Sequence, residues 1–476
     1  MNARSSESLL ASLSWLSGAR AGAVCMNLIA TSRLAHALGA ENFGIFNFAI
    51  SYVSYFVIVM NLGYSTLLTR EIGYNPAKLR DLVESAFATR LLLAIVMAAM
   101  LLASLFTLGL PSVGETAVMI QGITLFSGAV GLSSAYQGLH RMRVVALREL
   151  MCSLINLAGI LWLVRTPQDV LFAVAFSAGT LILTNALLIL QYSLEFGVPR
   201  LRVPVKEDFQ HARRSMPYFW SMLFASITQN AHIVLLGVMR SPIEVGLFAS
   251  GFRLFNFAIV LPNLISTLFL PRIARFTTHL YERGRYSELC MQTIITCAVP
   301  IAIIGEALIP QILIVLFGPA YLAAARITAL LLLDGLVASL NAGFSTQLLA
   351  VGRQDVLLRV AASGAAIGVA LNLALIPPFG IGGAALGTLV GEIVTLAMFI
   401  WNRPEVPIQR ILDFGCRCLL SALPAAILAH FVAPIAPSNS SQVILGGAVG
   451  IAAYMLVLRL LRIDLVDFAT TLRRLG

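Results

Sequence analysis

The chain is organised around apolar stretches of about 18 to 25 residues that recur along nearly its whole length, each long enough to cross a ~30 Å hydrocarbon core as a helix rising 1.5 Å per residue. Strand-sized alternating segments are absent, which argues against an outer-membrane barrel. Of the 476 residues, 59% are hydrophobic and only 11% charged, and the mean hydropathy is +0.89. That leaves too little polar surface for a water-soluble fold. The chain is therefore expected to be an all-α integral membrane protein.

Fourteen spans fit the pattern, at about 12–34, 43–66, 87–109, 117–138, 147–164, 170–192, 217–238, 246–270, 291–315, 326–349, 358–376, 382–401, 416–433 and 443–458. The apolar run after the N-terminus continues without an obvious cleavage site, so it reads as the first span rather than a signal peptide. Turn residues (Gly39, Pro111, Pro167, Pro242, Pro319, Pro377–Pro378, Pro437) mark one side of the membrane and basic loops the other. With the N-terminus inside, all of the 32 Lys and Arg except Arg20, Arg33, Arg165, Arg240, Arg253 and Arg326 fall on the inner side. This is the asymmetry that orients bacterial inner-membrane proteins, and it places both termini in the cytoplasm. The net charge of +10 thus points to membrane lipids as partners and not to nucleic acid. The last residues, from Arg459 on, read as an amphipathic helix along the inner surface.

The two parts of the chain echo each other at an offset of roughly 200 residues. Phe43-Gly-Ile-Phe-Asn-Phe-Ala opens span 2 and Val245-Gly-Leu-Phe-Ala-Ser-Gly opens span 8, with Glu41 and Glu244 just before them. Glu84-Ser-Ala-Phe-Ala-Thr leads into span 3, as Glu288-Leu-Cys-Met-Gln-Thr leads into span 9. Gln137-Gly-Leu-His-Arg141 ends span 4, and Leu349-Ala-Val-Gly-Arg353 ends span 10. The expected organisation is an N-terminal lobe at 1–192, a cytoplasmic linker at 193–215 and a C-terminal lobe at 216–401. Spans 13 and 14 and the tail follow at 402–476. Two six-helix lobes of this kind are common in secondary transporters, with a substrate path between them.

Two segments carry a family resemblance. Arg33-Leu-Ala-His-Ala-Leu-Gly-Ala-Glu-Asn-Phe-Gly44 resembles the span 1–2 signature of the polysaccharide transporter family. So does Leu349-Ala-Val-Gly-Arg353, followed by Leu371-Asn-Leu-Ala-Leu-Ile-Pro-Pro-Phe-Gly-Ile-Gly-Gly-Ala-Ala-Leu-Gly-Thr388 and Glu392. That family comprises flippases for lipid-linked oligosaccharides, the O-antigen type included. It belongs to the multidrug/oligosaccharidyl-lipid/polysaccharide exporter superfamily.

Enzymatic chemistry finds no foothold. A Walker A loop needs Gly-Lys-Ser/Thr, whereas the only lysines, Lys78 and Lys206, follow Ala77 and Val205. HExxH and GxSxG are absent. The six cysteines form no CxxC pair, no His lies at metal-ligand spacing, and no cofactor or metal is expected. Predicted outer loops are too short to hold a glycosyl acceptor.

Ionisable groups inside hydrocarbon are costly, so those in the spans are the candidate site. Arg20 shares a helical face with Asn27 and Thr31 in span 1, and Arg253 shares one with Asn256 and Asn263 in span 8. Span 2 presents Asn47, Ser51, Ser54 and Asn61, and span 7 presents Ser226, Gln229, Asn230 and His232. Guanidinium groups suit a pyrophosphate, and amides and hydroxyls suit sugar. Against this stands a purely structural role for Arg20 and Arg253, by snorkelling or by pairing with Glu306, Asp334 or a helix end. Arg33 and Arg90, near span ends, are expected to snorkel. The embedded acids Glu306, Asp334 and Glu392 are candidates for coupling to H⁺ or Na⁺, or for structural bonds such as an ion pair with Arg326. Pro262, Pro300 and Pro310 are expected to bend spans 8 and 9.

The resemblance implies a flippase, not an enzyme, that moves a polyprenyl-pyrophosphate-linked oligosaccharide across the inner membrane by alternating access. It implies glycosyltransferase and polymerase neighbours. Rival readings are a lipid II flippase, a multidrug/cation antiporter, and, from another class, an embedded glycosyl-transfer enzyme or a scaffold.

Overall fold

The computed structural model describes residues 3–276, 280–402 and 407–461, with side chains from Met26 onward except that of Leu280. Among them there is helix and no strand. The sixteen α-helices are α1 (Ala3–Asn61), α2 (Tyr64–Tyr74), α3 (Leu79–Leu108), α4 (Ser112–Gly122), α5 (Thr124–Ala129), α6 (Ser133–Gly138), α7 (Met142–Leu163) and α8 (Val170–Phe196), followed by α9 (Lys206–Met239), α10 (Pro242–Arg275), α11 (Leu280–Ala307), α12 (Ile309–Leu316), α13 (Ala325–Ala350), α14 (Gln354–Trp401), α15 (Ile408–Val432) and α16 (Asn439–Leu460). Residues of the expected amphipathic tail beyond 461 lie outside the described residues.

Twelve segments among the described residues are long and apolar enough to cross a membrane. Two of the helices are too long to be one span. The 48 residues of α14 would run about 72 Å, more than twice a hydrocarbon core. The helix instead reverses at Gly380 (φ 56°, ψ −133°), a conformation that a side chain would strain. The 59-residue α1 is likewise interrupted at Gly39 (φ 70°, ψ 174°). Counting both arms of each gives the fourteen spans expected.

By packing, the chain forms two compact units, Met1–Gly246 and Leu247–Gly476. In the first, α1 packs against α3, α7 and α9, and α8 packs against α4, α5 and α7. The buried apolar cluster at its basic end includes Leu67, Leu68, Ile72, Leu82, Val83, Phe87, Tyr136 and Tyr192. Helix α9, the first span of the second repeat copy, also rests on α2 and α3. Repeat and packed unit are thus different divisions, one of sequence and one of contacts.

In the second unit, α11 packs against α13 and α15, and α15 against α16. The arms of α14 run antiparallel with small residues facing at every turn. A methyl group on Gly364 would fall 2.4 Å from Thr395 Oγ1, one on Gly391 3.4 Å from Gly368 Cα, and one on Gly387 3.1 Å from Asn372 Oδ1. One on Gly383 would fall 2.0 Å from the Leu375 carbonyl oxygen. Where lipid offers no hydrophobic drive for helix pairing, such close backbone approach supplies the dispersion contact. Gly383 and Gly387 of the second family-like motif therefore have a packing explanation, and Gly380 a conformational one.

The ends of spans 4 and 10 show the repeat in backbone detail. Arg141 N donates to Tyr136 O at 2.9 Å, and Arg353 N donates to Leu348 O at 3.0 Å. The residue before each arginine is left-handed: His140 at φ 59° and Gly352 at φ 73°. Both are helix-stop turns of the Schellman type. The prolines of spans 8 and 9 do not end their helices. Helices α10 and α11 continue through Pro262, Pro271 and Pro300, and the interruption in span 9 falls at Leu308, with Pro310 in the first turn of α12.

Candidate functional site

The polar face expected on span 2 exists, but much of it is bonded to its own helix. Asn47 is buried and donates from Nδ2 to Phe43 O at 2.8 Å, and Ser54 donates to Ser51 O at 2.6 Å. The face meets α9 through Tyr55, whose hydroxyl donates to Ser226 O at 3.3 Å, while Asn230 Nδ2 donates to Ser226 Oγ at 3.3 Å. Along the same helix Phe48 stacks on Tyr52 with centroids 5.4 Å apart, and Tyr52 meets Phe56 edge-on at 5.3 Å. Asn27 is exposed, and the side chain of Arg20 lies outside the described residues.

Arg90 corrects the sequence reading. Instead of snorkelling, its side chain is 2% exposed and points into the first unit. Nη2 donates to Asn61 Oδ1 at 2.6 Å and to Ser65 Oγ at 3.3 Å, and Nη1 donates to Gly131 O at 3.3 Å. The guanidinium carbon lies 5.5 Å from the centroid of the Tyr64 ring, a cation–π contact. Tyr64 is itself held by Thr89 Oγ1 at 3.1 Å and by the Asp208 carbonyl at 3.2 Å. No carboxylate stands within ion-pair distance of Arg90 among the described residues. The signal in the sequence was Arg90 itself, a charge inside the predicted span 3, and the polar pair Asn61 and Ser65 near the end of span 2.

Close by, the connection between α8 and α9 is fixed by its own side chains. Asp208, 1% exposed, receives both terminal nitrogens of Arg202 at 2.6 and 2.9 Å and Val205 N at 2.7 Å. This bidentate pair holds the entry to α9.

The second unit holds the acids. Asp334 of α13 is 1% exposed, within hydrogen-bonding reach of Thr388 and in the field of Glu392, both on α14. Asn341 donates from Nδ2 to Glu392 Oε2 at 2.6 Å and to Glu392 O at 3.0 Å. Asp334 Oδ1 has no hydrogen-bond partner among the described residues, and no Arg or Lys pairs with either carboxylate there. Burial of a carboxylate without a cation is costly, so this pair is not a structural ion pair with Arg326. Glu306 differs: it is exposed, in the last turn of α11. Asp334 and Glu392 are thus brought together, joined by Asn341, which follows Asp334 at +7, and by Thr388.

On α10, Arg253 is half-buried and Asn256 donates to Phe252 O at 3.0 Å. Phe248, Phe252 and Phe255 stack beside them at 6.0 and 5.0 Å, an aromatic ladder like that of span 2.

Comparison with known proteins follows the same lines. The profile of the family described as "Polysaccharide biosynthesis protein" matches residues 9–277. A protein of Escherichia coli (strain K12) designated provisionally as an O-antigen transporter is 25% identical over 302 residues, covering 60% of this chain and 70% of its own. Among solved structures, the lipid II flippase MurJ in an inward closed conformation superposes with a TM-score of 0.79 at 13% identity, covering 95% of this chain and 99% of that one. An inward-facing multidrug resistance MATE family transporter of the MOP superfamily gives 0.60 at 14% identity, covering 82% and 95%. The last two likenesses concern the fold alone, which this chain shares with those two transporters. Over more than half its length, and on that fold, the chain belongs to the polysaccharide biosynthesis protein family.

Proposed function

We propose that this protein is a flippase that moves a polyprenyl-pyrophosphate-linked oligosaccharide, an O-antigen or exopolysaccharide repeat unit, from the inner to the outer leaflet of the bacterial inner membrane. The observation that carries the reading is the family match over residues 9–277, on a fold otherwise found in transporters. In this reading both termini are cytoplasmic, and the polar headgroup crosses by alternating access while the lipid tail stays in the bilayer. Arg20 and Arg253 grip the pyrophosphate, because a guanidinium keeps its charge and bonds phosphate oxygens as a fork. Asn27, Asn47, Asn230 and Asn256 supply amides for sugar hydroxyls, whereas the amide of Asn61 is engaged by Arg90 and Ser65. Asp334 and Glu392 take up H⁺ or Na⁺ and couple the gradient to the conformational cycle.

Lipid II is the rival substrate, favoured by the fold likeness to MurJ. Deleting the gene in its native host separates the two. The proposal expects loss of surface polysaccharide with normal cell-wall synthesis, restored by wild type and not by Arg253→Ala or Arg20→Ala at matched membrane levels. Normal polysaccharide display in the deletion strain, or a cell-wall defect in its place, would overturn it.

A further inference from the structure

Span 2 is not one helix. α1 stops at Asn61 and α2 starts at Tyr64, and the two residues between them are left-handed, Leu62 at φ 48° and Gly63 at φ 76°. A leucine there carries a steric cost that glycine does not. Span 4 is broken as well, between α5 and α6, where Gly131 lies. Neither span contains proline, so each break needs another cause and leaves backbone carbonyls without intrahelical partners.

Arg90 serves both breaks at once. Nη2 bonds Asn61 on one side of the span 2 break and Ser65 on the other, and Nη1 bonds the Gly131 carbonyl in the span 4 break. The charge faces the C-terminal ends of α1 and α5, where the helix dipole is negative, and the face of Tyr64. Its Nε has no hydrogen-bond partner among the described residues. Asn61 and Ser65 also bond each other across the break, Nδ2 to Oγ at 2.9 Å and Oγ to Oδ1 at 3.1 Å. They can therefore satisfy one another when the guanidinium is withdrawn. A carboxylate at 61 would make the fastening permanent; a neutral amide makes it exchangeable.

We propose that Arg90 is a positioning residue for transport: it sets the bend between α1 and α2, and releasing Asn61 and Ser65 from its guanidinium lets α2 (Tyr64–Tyr74) swing during the cycle. The proposal rests on the transport reading above.

The test uses the full-length protein in lipid nanodiscs, with native cysteines replaced and spin labels at Tyr74→Cys and Leu194→Cys. Both positions are exposed, at 91% and 80%, and both lie in the first unit. Wild type is expected to show two distance populations. Asn61→Asp should collapse them to one, raise the melting temperature and slow export about ten-fold. Arg90→Lys keeps the charge but cannot fork, and should shift weight to the second population. A single distance in wild type, a distribution unmoved by Asn61→Asp, or wild-type export by a stable Asn61→Asp protein would each overturn the proposal. Failure of the transport reading shows itself differently, as wild type that exports nothing while its distances still respond to Asn61→Asp.

Discussion

Gly44 and Gly246, which hold equivalent places in the two copies of the repeat, meet each other reciprocally. A methyl group on Gly44 would stand 1.8 Å from the Pro242 carbonyl oxygen, and one on Gly246 would stand 1.9 Å from the Ala40 carbonyl oxygen. Each oxygen belongs to the residue four before the facing glycine, so exchanging the two copies leaves the contact unchanged. Backbone cannot yield as a flexible side chain does. Gly44→Ala and Gly246→Ala are each expected to cost about 3 kcal/mol. The double variant should cost little more than either single one, since one separation of the helices relieves both clashes. Thermal unfolding in detergent, followed by size-exclusion chromatography, measures all three.

The paired helix-stop turns give a prediction of opposite sign. His140 adopts at φ 59° what Gly352 adopts at φ 73°. His140→Gly should stabilise the protein by about 0.5–1 kcal/mol, and Gly352→Ala should destabilise it by about 1 kcal/mol. A melting temperature that falls for His140→Gly would mean that the exposed imidazole makes a contact worth more than the backbone strain.

Asp334 and Glu392 should separate stability from activity. Asp334→Asn and Glu392→Gln remove an uncompensated buried acid, so each variant is expected to melt no lower than wild type, and about 1 kcal/mol more stably where the new amide finds a partner. Export should fall about ten-fold and lose its response to a collapsed ion gradient. Unchanged, gradient-dependent export by both variants would remove these residues from the coupling role.

At the linker, Asp208→Asn breaks a bidentate pair in which the acid is buried and Arg202 is about one-third exposed. The expected cost is about 2 kcal/mol, because the partly exposed arginine recovers part of its hydration. Limited proteolysis between Phe196 and Lys206 should accelerate correspondingly.

The fourteen spans were legible in the sequence because membrane insertion depends on local composition, and the interruptions of α1 and α14 were legible because glycine and proline punctuate them. Asp334 and Glu392 were legible as carboxylates in hydrocarbon. Their proximity was not, since residues 58 positions apart come together only through the packing of α13 on α14. Arg90 was misread for a related reason. Distance from a span end says how far a side chain could reach for water, not whether a neighbouring helix has broken and turned its carbonyls inward. The breaks in spans 2 and 4 contain no proline, and Gly63 and Gly131 mark them only weakly because glycine is common in membrane helices. The prolines of span 8 were visible yet produced no break, because a packed membrane helix can absorb the missing hydrogen bond.

The reversal at Gly380 has a consequence for how the chain is made. It joins two apolar arms through a single non-helical residue, with no polar stretch between them to be threaded across the bilayer. The arms of α14 touch at nearly every turn, so they are suited to leave the insertion machinery side by side as a preformed hairpin, not one after the other. A few flexible residues inserted after Gly380 would uncouple the two arms during synthesis, and the damage would appear as degraded nascent chain before any question of transport arose.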